Sequence, residues 1–268
     1  MNPTLHHLLQ KHLPPETNQW MESKLTVLQA DFQPRSFYLA FGACPRFLGK
    51  DTLTFTEAEL SSLTVAYPNF SATEWTTDQL ARILLATALP TETNVEVLDT
   101  LFGTADYREL IALYKGLYFL HNAPDFVPRT REGLRTNMTG VFDAIALENP
   151  YPARYLDEDA WNHMVLKAMF MQRPMYRIYR IEDRKNAKLA NIFLDYAEER
   201  RSAHRPVSPE LWRFVDGFVT DRARIALEKT RDTGTPLERR AVEKILAPDA
   251  EAVSWNAIGR ETETANTQ

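Results

Sequence analysis

The stretch GACPRFLGKD, residues 42–51, holds Cys44, the one cysteine of the chain, and a Gly49–Lys50 pair. Such residues could serve two chemistries, a thiol nucleophile or a phosphate-cradling loop. A phosphate loop needs glycine, four residues, then Gly-Lys-Ser/Thr, set after a strand. Here Cys44 stands where the first glycine belongs and Asp51 where the hydroxyl belongs. Pro45 removes a backbone N–H from the would-be anion nest, and the residues before it read as a helix. The phosphate loop is therefore excluded. A nucleophilic thiolate needs a histidine, a cation or a helix N-terminus beside it. Cys44 lies toward a helix C-terminus, where the dipole disfavours negative charge, although Arg46 is close in sequence. The expected role is a small buried core thiol.

Metal and acid–base chemistry find few candidates. The histidines fall at 6, 7, 12, 121, 163 and 204, with no HxxxH or HExxH spacing. Asp159 and His163 are four apart on one helix face. A surface contact explains that pair better than a metal, because two ligands do not complete a site. No metal and no cofactor is expected. Arg129, Arg131 and Arg135 cluster in FVPRTREGLRTNM, and on a helix Arg131 and Arg135 would share a face as a fork for an anionic group. Nearby glutamates, Glu132 and Glu148, are their alternative partners. Asn137 falls one position from the apolar stripe of the same segment and would need a polar partner. Asn162 and Lys167 interrupt an apolar run from Trp161 to Phe170; they either cap a neighbouring helix or line a cavity. Residues 173–188, RPMYRIYRIEDRKNAK, interleave tyrosines with arginines. That pattern suits single-stranded nucleic acid, phosphate groups or an anionic membrane surface. It also suits a solvated face whose charges pair with DYAEER downstream.

The elements that must position these groups read almost entirely as helix. Apolar residues recur at three- and four-residue steps, as in Leu134, Met138, Val141 and Ile145 of REGLRTNMTGVFDAIALENP. That spacing predicts one long helix with a buried stripe. PRSFYLAFGAC should stop before Pro45, and SPELWRFVDGFVTDRARIALEKTRD reads as one helix from an N-cap at Ser208. DTLTFTEAEL holds the only short strand candidate. With 16 prolines against 9 glycines, short proline-punctuated helices are favoured over glycine-loop nucleotide folds. Roughly ten to twelve helices are expected, paired between residues 73 and 200. The fold class is all-α: a multi-helix single domain over 1–258, either a HEAT- or armadillo-like α-solenoid or an irregular helical bundle. The polar tail, 259–268, should be disordered.

A chain of 268 residues with 44% hydrophobic and 25% charged residues can build its core without a staple. A net charge of -5 gives no global footprint for nucleic acid. One cysteine fits a reducing compartment. No signal-peptide pattern and no bilayer-length apolar run occur. The expected location is the cytoplasm.

Several stretches together resemble one family. ACPRFLGK, LYKGLYFL, VPRTREGLRTNMTGVFDAIALENPYP, DEDAWNHMVLKAMF and NAKLANIFLDYAEERRSAHRPVSPELWRFV are similar to the EboA family, over about residues 35–220. The resemblance implies an accessory protein of a bacterial secondary-metabolite biosynthesis or export cluster. Its partners would be other proteins of that cluster, including a UbiA-type membrane prenyltransferase, which adds peripheral contact with the inner membrane to the expected location. The family has no assigned catalytic residues to carry over. Two functions follow. The first is a non-catalytic protein binding a metabolite, a lipid-linked intermediate or a partner enzyme on a concave helical surface. Its anion clamp and polar pocket would be Arg46, Arg129, Arg131, Arg135, Asn137, Asn162 and Lys167. The second is an all-α enzyme acting on a phosphorylated or prenylated metabolite, with Asn137, Asp159, Asn162, His163 and Lys167 converging on one cavity. A weaker third reading is a HEAT-like nucleic-acid binder through 173–188, on fold analogy alone.

Overall fold

The structure, a computed structural model, describes residues 1–67, 74–247 and 253–267. The expected Ser/Thr-rich helix start at 71–73 and residues 248–252 lie outside the described residues. The chain is all-α. Among the described residues, β pairing is limited to an isolated bridge between Thr52 and Thr76, in and opposite the strand candidate. The chain forms two compact units, Met1–Tyr155 and Leu156–Gln268, although no Pro-, Gly- or Ser-rich linker marks the division.

The first unit carries α1 (Pro3–His12), α2 (Pro15–Ala30), α3 (Pro34–Leu48), α4 (Glu57–Ala66), α5 (Thr77–Thr87), α6 (Asn94–Thr104), α7 (Tyr107–Gly116), α8 (Val127–Gly133), α9 (Thr139–Ala146) and α10 (Pro150–Tyr155). Proline opens α1, α2 and α3 at the position where its missing N–H costs nothing. Helix α5 packs on α3 and α7, and α7 on α9, so alternate helices stack in series. Every residue of α5 except the half-buried Gln79 is buried. A helix buried nearly all round belongs in the centre, and TDQLARILLAT carries only two charged residues, Asp78 and Arg82.

Those two polar residues make the central joint. Arg82, 2% exposed, donates from Nη1 to Asp78 Oδ2 at 2.9 Å and from Nη2 to Glu109 Oε1 at 3.3 Å. Its Nε donates to the carbonyl of Phe41 at 3.1 Å. This last bond explains why the expected stop before Pro45 is wrong. Helix α3 runs through Pro45 and ends at Gly49, whose φ of +78 suits glycine. Pro45 cannot donate to the carbonyl four residues back, which is that of Phe41. Arg82 supplies the missing donor from the next helix.

The predicted long helix from Arg131 to the stop at Pro150 is two helices. The chain leaves α8 after Gly133 and re-enters at Thr139, with Thr136 Oγ1 accepting from the N–H of Met138 at 3.1 Å. Met138 is 42% exposed, not part of a buried stripe.

The second unit carries α11 (Glu158–Phe170), α12 (Ala187–Ser202), a 3-10 turn (Pro209–Phe214), α13 (Asp221–Thr233), α14 (Pro236–Leu246) and α15 (Trp255–Thr267). The segment read as one helix from Ser208 is broken at Gly217, φ +91, and α13 restarts behind a Thr220 cap. The 3-10 turn is the hub, packed by α12, α14 and α15, with Phe193 and Phe214 stacked at 4.5 Å. The tail assigned to disorder is largely helix. Trp255, Ile258 and Thr262 are buried along one face of α15, an amphipathic spacing that the polar composition of 259–268 hides.

Candidate functional site

The residues named from sequence fall in both units. In the first, Arg46 is exposed on the last turn of α3, its guanidinium 5.7 Å from the Phe47 ring. Arg129 is held by Asp99 at 2.9 Å and Glu132 at 2.7 Å and lies over Phe102. Arg131 is exposed on α8, whereas Arg135 and Asn137 are exposed in the turn beyond it. The helical fork of Arg131 and Arg135 therefore does not form, because the helix ends between them.

In the second unit, Asn162 is buried on α11 and exchanges two amide hydrogen bonds with Asn186, at 2.9 and 3.2 Å. Asn186 caps α12, accepting from the N–H of Leu189 at 2.8 Å. Asn162 thus orients a helix cap. Lys167 is half-buried, and burial lowers its affinity for the proton. Asp159 and His163 are exposed, and Asp159 pairs with Lys188 at 2.6 Å. Within the basic segment Arg180 pairs with Asp183 at 2.7 Å and Lys185 with Glu182 at 3.0 Å, while Arg184 donates to the Leu156 carbonyl at 2.9 Å outside it. Cys44 is fully buried, and burial pushes its thiol up to about 12. Among the described residues no cluster of His, Cys, Asp or Glu could hold a metal ion.

A different set of residues forms a cleft of about 860 Å³ in the second unit. Its walls come from the end of α11, from α12, from the segment entering the 3-10 turn, from the start of α14 and from α15. Met169, Phe170, Val207, Pro209 and Leu237 supply apolar surface, with Phe170 and Tyr196 edge to face at 4.9 Å. Of the candidate binding residues named from sequence, only Arg173 and Pro174, the start of the basic segment, line it.

Arg173 and Glu263, the latter accepting from the Tyr176 hydroxyl at 2.6 Å, are in the lining, and two further groups add to its chemistry. Arg200 is half-buried in the lining; its Nε donates to the carbonyl of Pro206 at 3.0 Å, and its guanidinium lies 6.0 Å from the Tyr196 ring. It makes no ion pair among the described residues. Thr235 and Pro236 place the N-terminus of α14 in the same lining, and a helix N-terminus favours negative charge. The second group is Glu210, buried among Met175, Gly259 and Arg213. Its Oε2 accepts from the N–H of Met175 at 3.1 Å, while Arg213 Nη1 lies 3.5 Å from its Oε1. Gly259 lets α15 close on this carboxylate, since any Cβ there would stand 2.6 Å from Oε1. Burial outweighs the neighbouring Arg213 charge and raises Glu210 to about 7. Arg213 has no solvent exposure and no aligned hydrogen bond, only the carboxylates of Glu210 and Glu182 within 3.5 Å.

Sequence reasoning missed this site because its walls lie far apart along the chain. One signal was present: Glu210 and Arg213 stand in SPELWRFV among apolar residues, where charges need partners.

No curated protein and no solved structure matches the chain. A family described as "Metabolite traffic protein EboA" matches residues 1–216. That stretch holds all of the first unit, and in the second it holds the cleft walls from Met169 to Glu210 but not those from α14 and α15. The chain belongs to the EboA family.

Proposed function

We propose that the chain is a metabolite-binding accessory protein, and that the cleft of the second unit takes an amphipathic, anionic metabolite. The observation that carries this reading is Arg200, a half-buried guanidinium without a carboxylate partner in a cleft whose walls are part apolar and part polar. Ligand sites are typically clefts of about 300–1,000 Å³ with mostly apolar lining and a few polar groups that fix orientation. The start of α14 adds a second feature favourable to an anion. The family's metabolite-traffic description agrees with the reading. A carrier needs no bond-making step, so Glu210 and Arg200 act here as recognition groups. A lipid-linked intermediate handed to or from a membrane prenyltransferase is one ligand of this class.

The test uses 8-anilinonaphthalene-1-sulfonate, an anionic aromatic probe of the proposed polarity. Saturable binding at one site is expected, weakened about tenfold or more in Arg200→Gln by loss of a charge-assisted bond. Leu237→Asp should weaken it as well. Equal affinity in the parent and Arg200→Gln proteins would sink the proposal.

A further inference from the structure

A separate surface on the first unit points to a second interaction. Helices α2 and α3 pack side by side and leave a groove of about 250 Å³ between them. Trp20 and Phe47 stack across its end, ring centroids 4.7 Å apart and planes within 12°. Leu39, Val27 and Phe47 protrude along it, 65%, 49% and 44% exposed, and Ala40 and Ala43 line it between them. Scattered exposed apolar residues need no explanation, but a contiguous group of this kind marks an interaction site.

The charges around the groove identify what it meets. Lys24 lies 5.6 Å from the Trp20 ring, and Arg46 5.7 Å from the Phe47 ring. Arg35 is one turn before Leu39 on α3 and exposed. None of the three makes an ion pair among the described residues. Arg35 also sits in the first turn of α3, where a cation opposes the helix dipole. A locally unfavourable charge beside an apolar patch is what a functional surface leaves behind. Glu16 on α2 and Asp31 at its C-cap stand a turn beyond either end of the groove, Asp31 accepting from Gln33 at 3.2 Å. The third nearby carboxylate, Glu22 on α2, is paired with His6 at 2.5 Å.

We infer that this face docks peripherally on an anionic lipid surface. Leu39, Val27, Phe47 and the Trp20 edge enter the boundary between headgroups and acyl chains, while Lys24, Arg35 and Arg46 meet the phosphates. Three cations without ion pairs among the described residues, beside protruding apolar side chains, match an anionic headgroup layer over an acyl interior, which favours lipid over a partner helix. Among the described residues no helix is long and apolar enough to cross a membrane, so contact here is at the surface only. The inference is independent of the ligand reading, which concerns the second unit.

The experiment is flotation of the full chain with phosphatidylcholine vesicles, with and without phosphatidylglycerol. Binding is expected to the anionic vesicles and to weaken as salt rises. Each cation should contribute about fivefold in affinity, so Lys24→Glu with Arg35→Glu and Arg46→Glu should lose about a hundredfold. Leu39→Glu alone should lose binding with an unchanged circular dichroism spectrum. Failure of the parent chain to float with anionic vesicles overturns the inference, and so does equal flotation of the triple variant. A dimer that Leu39→Glu dissociates, in a chain that ignores vesicles, also overturns it and assigns the groove to a second copy.

Discussion

The buried arginine of the first unit gives the sharpest test of how that unit is held. Replacing Arg82 by methionine keeps most of the volume and removes the charge and all the donors. Asp78, 1% exposed, then has no cation, and removing one partner of a buried ion pair costs about 3–5 kcal/mol. The Phe41 carbonyl loses its donor in the same step, a further loss of about 1–3 kcal/mol where nothing replaces it. Glu109 adds less, because it is more exposed and keeps its capping-box bond to the N–H of Asp106 at 3.0 Å. The terms overlap, so about 4 kcal/mol is expected for Arg82→Met. A natural domain is stable by about 5–15 kcal/mol, so the first unit would be left near its threshold. Urea unfolding followed by tryptophan fluorescence measures the loss. The companion variant is Arg82→Met with Asp78→Asn, which removes the stranded charge and should recover a substantial part of it. A loss below about 1 kcal/mol, or no recovery in the double variant, refutes the charge argument.

Two other predictions concern buried titratable groups. Burial lifts Glu210 to about 7 from 4.5, so the folded chain holds this proton more tightly than the unfolded one. Its contribution to stability is complete below about pH 4.5 and is withdrawn as pH rises through about 7, by roughly 3 kcal/mol. Glu210→Gln cannot titrate, so its stability relative to the parent should improve by about that amount between those limits; parallel pH profiles would count against the assignment. Cys44, fully buried with its thiol pushed up to about 12, should resist alkylating reagents in the native state and react only on unfolding. Fast stoichiometric labelling of the folded chain would place the thiol elsewhere.

The all-α class was legible because helix starts and apolar spacing are local properties. Pro15, Pro34 and Pro236 each open a helix, and Thr235 with Glu238 forms the capping box its spacing announces. Errors arose where a distant residue or a competing local bond decides. Pro45 reads as a stop until Arg82 is seen behind it. The 131–147 segment has helical periodicity, yet a Thr136 side-chain bond turns the chain, and hydroxyl residues compete with helix in this way. Gly133 and Gly140 then allow approach that a side chain would block, with Tyr114 and Tyr107 oxygens 2.3 and 2.1 Å from where a Cβ would stand. The cleft was not legible: Arg200, Glu210 and Thr235 converge only through packing, while the arginines that look clustered in sequence, 129 to 135, face neighbouring carboxylates and solvent.

Pro45 and Arg82 also constrain the order in which this sequence could have been reached. Proline inside a helix costs about 3 kcal/mol, and here the carbonyl it abandons is buried. A chain that acquired Pro45 first would have carried that defect with no relief. A chain that already held Arg82 could accept the proline at lower cost, and could no longer lose the arginine afterwards. Positions 45 and 82 therefore form a one-way gate in mutational history, in which the tolerated residue at one site depends on which change came before at the other.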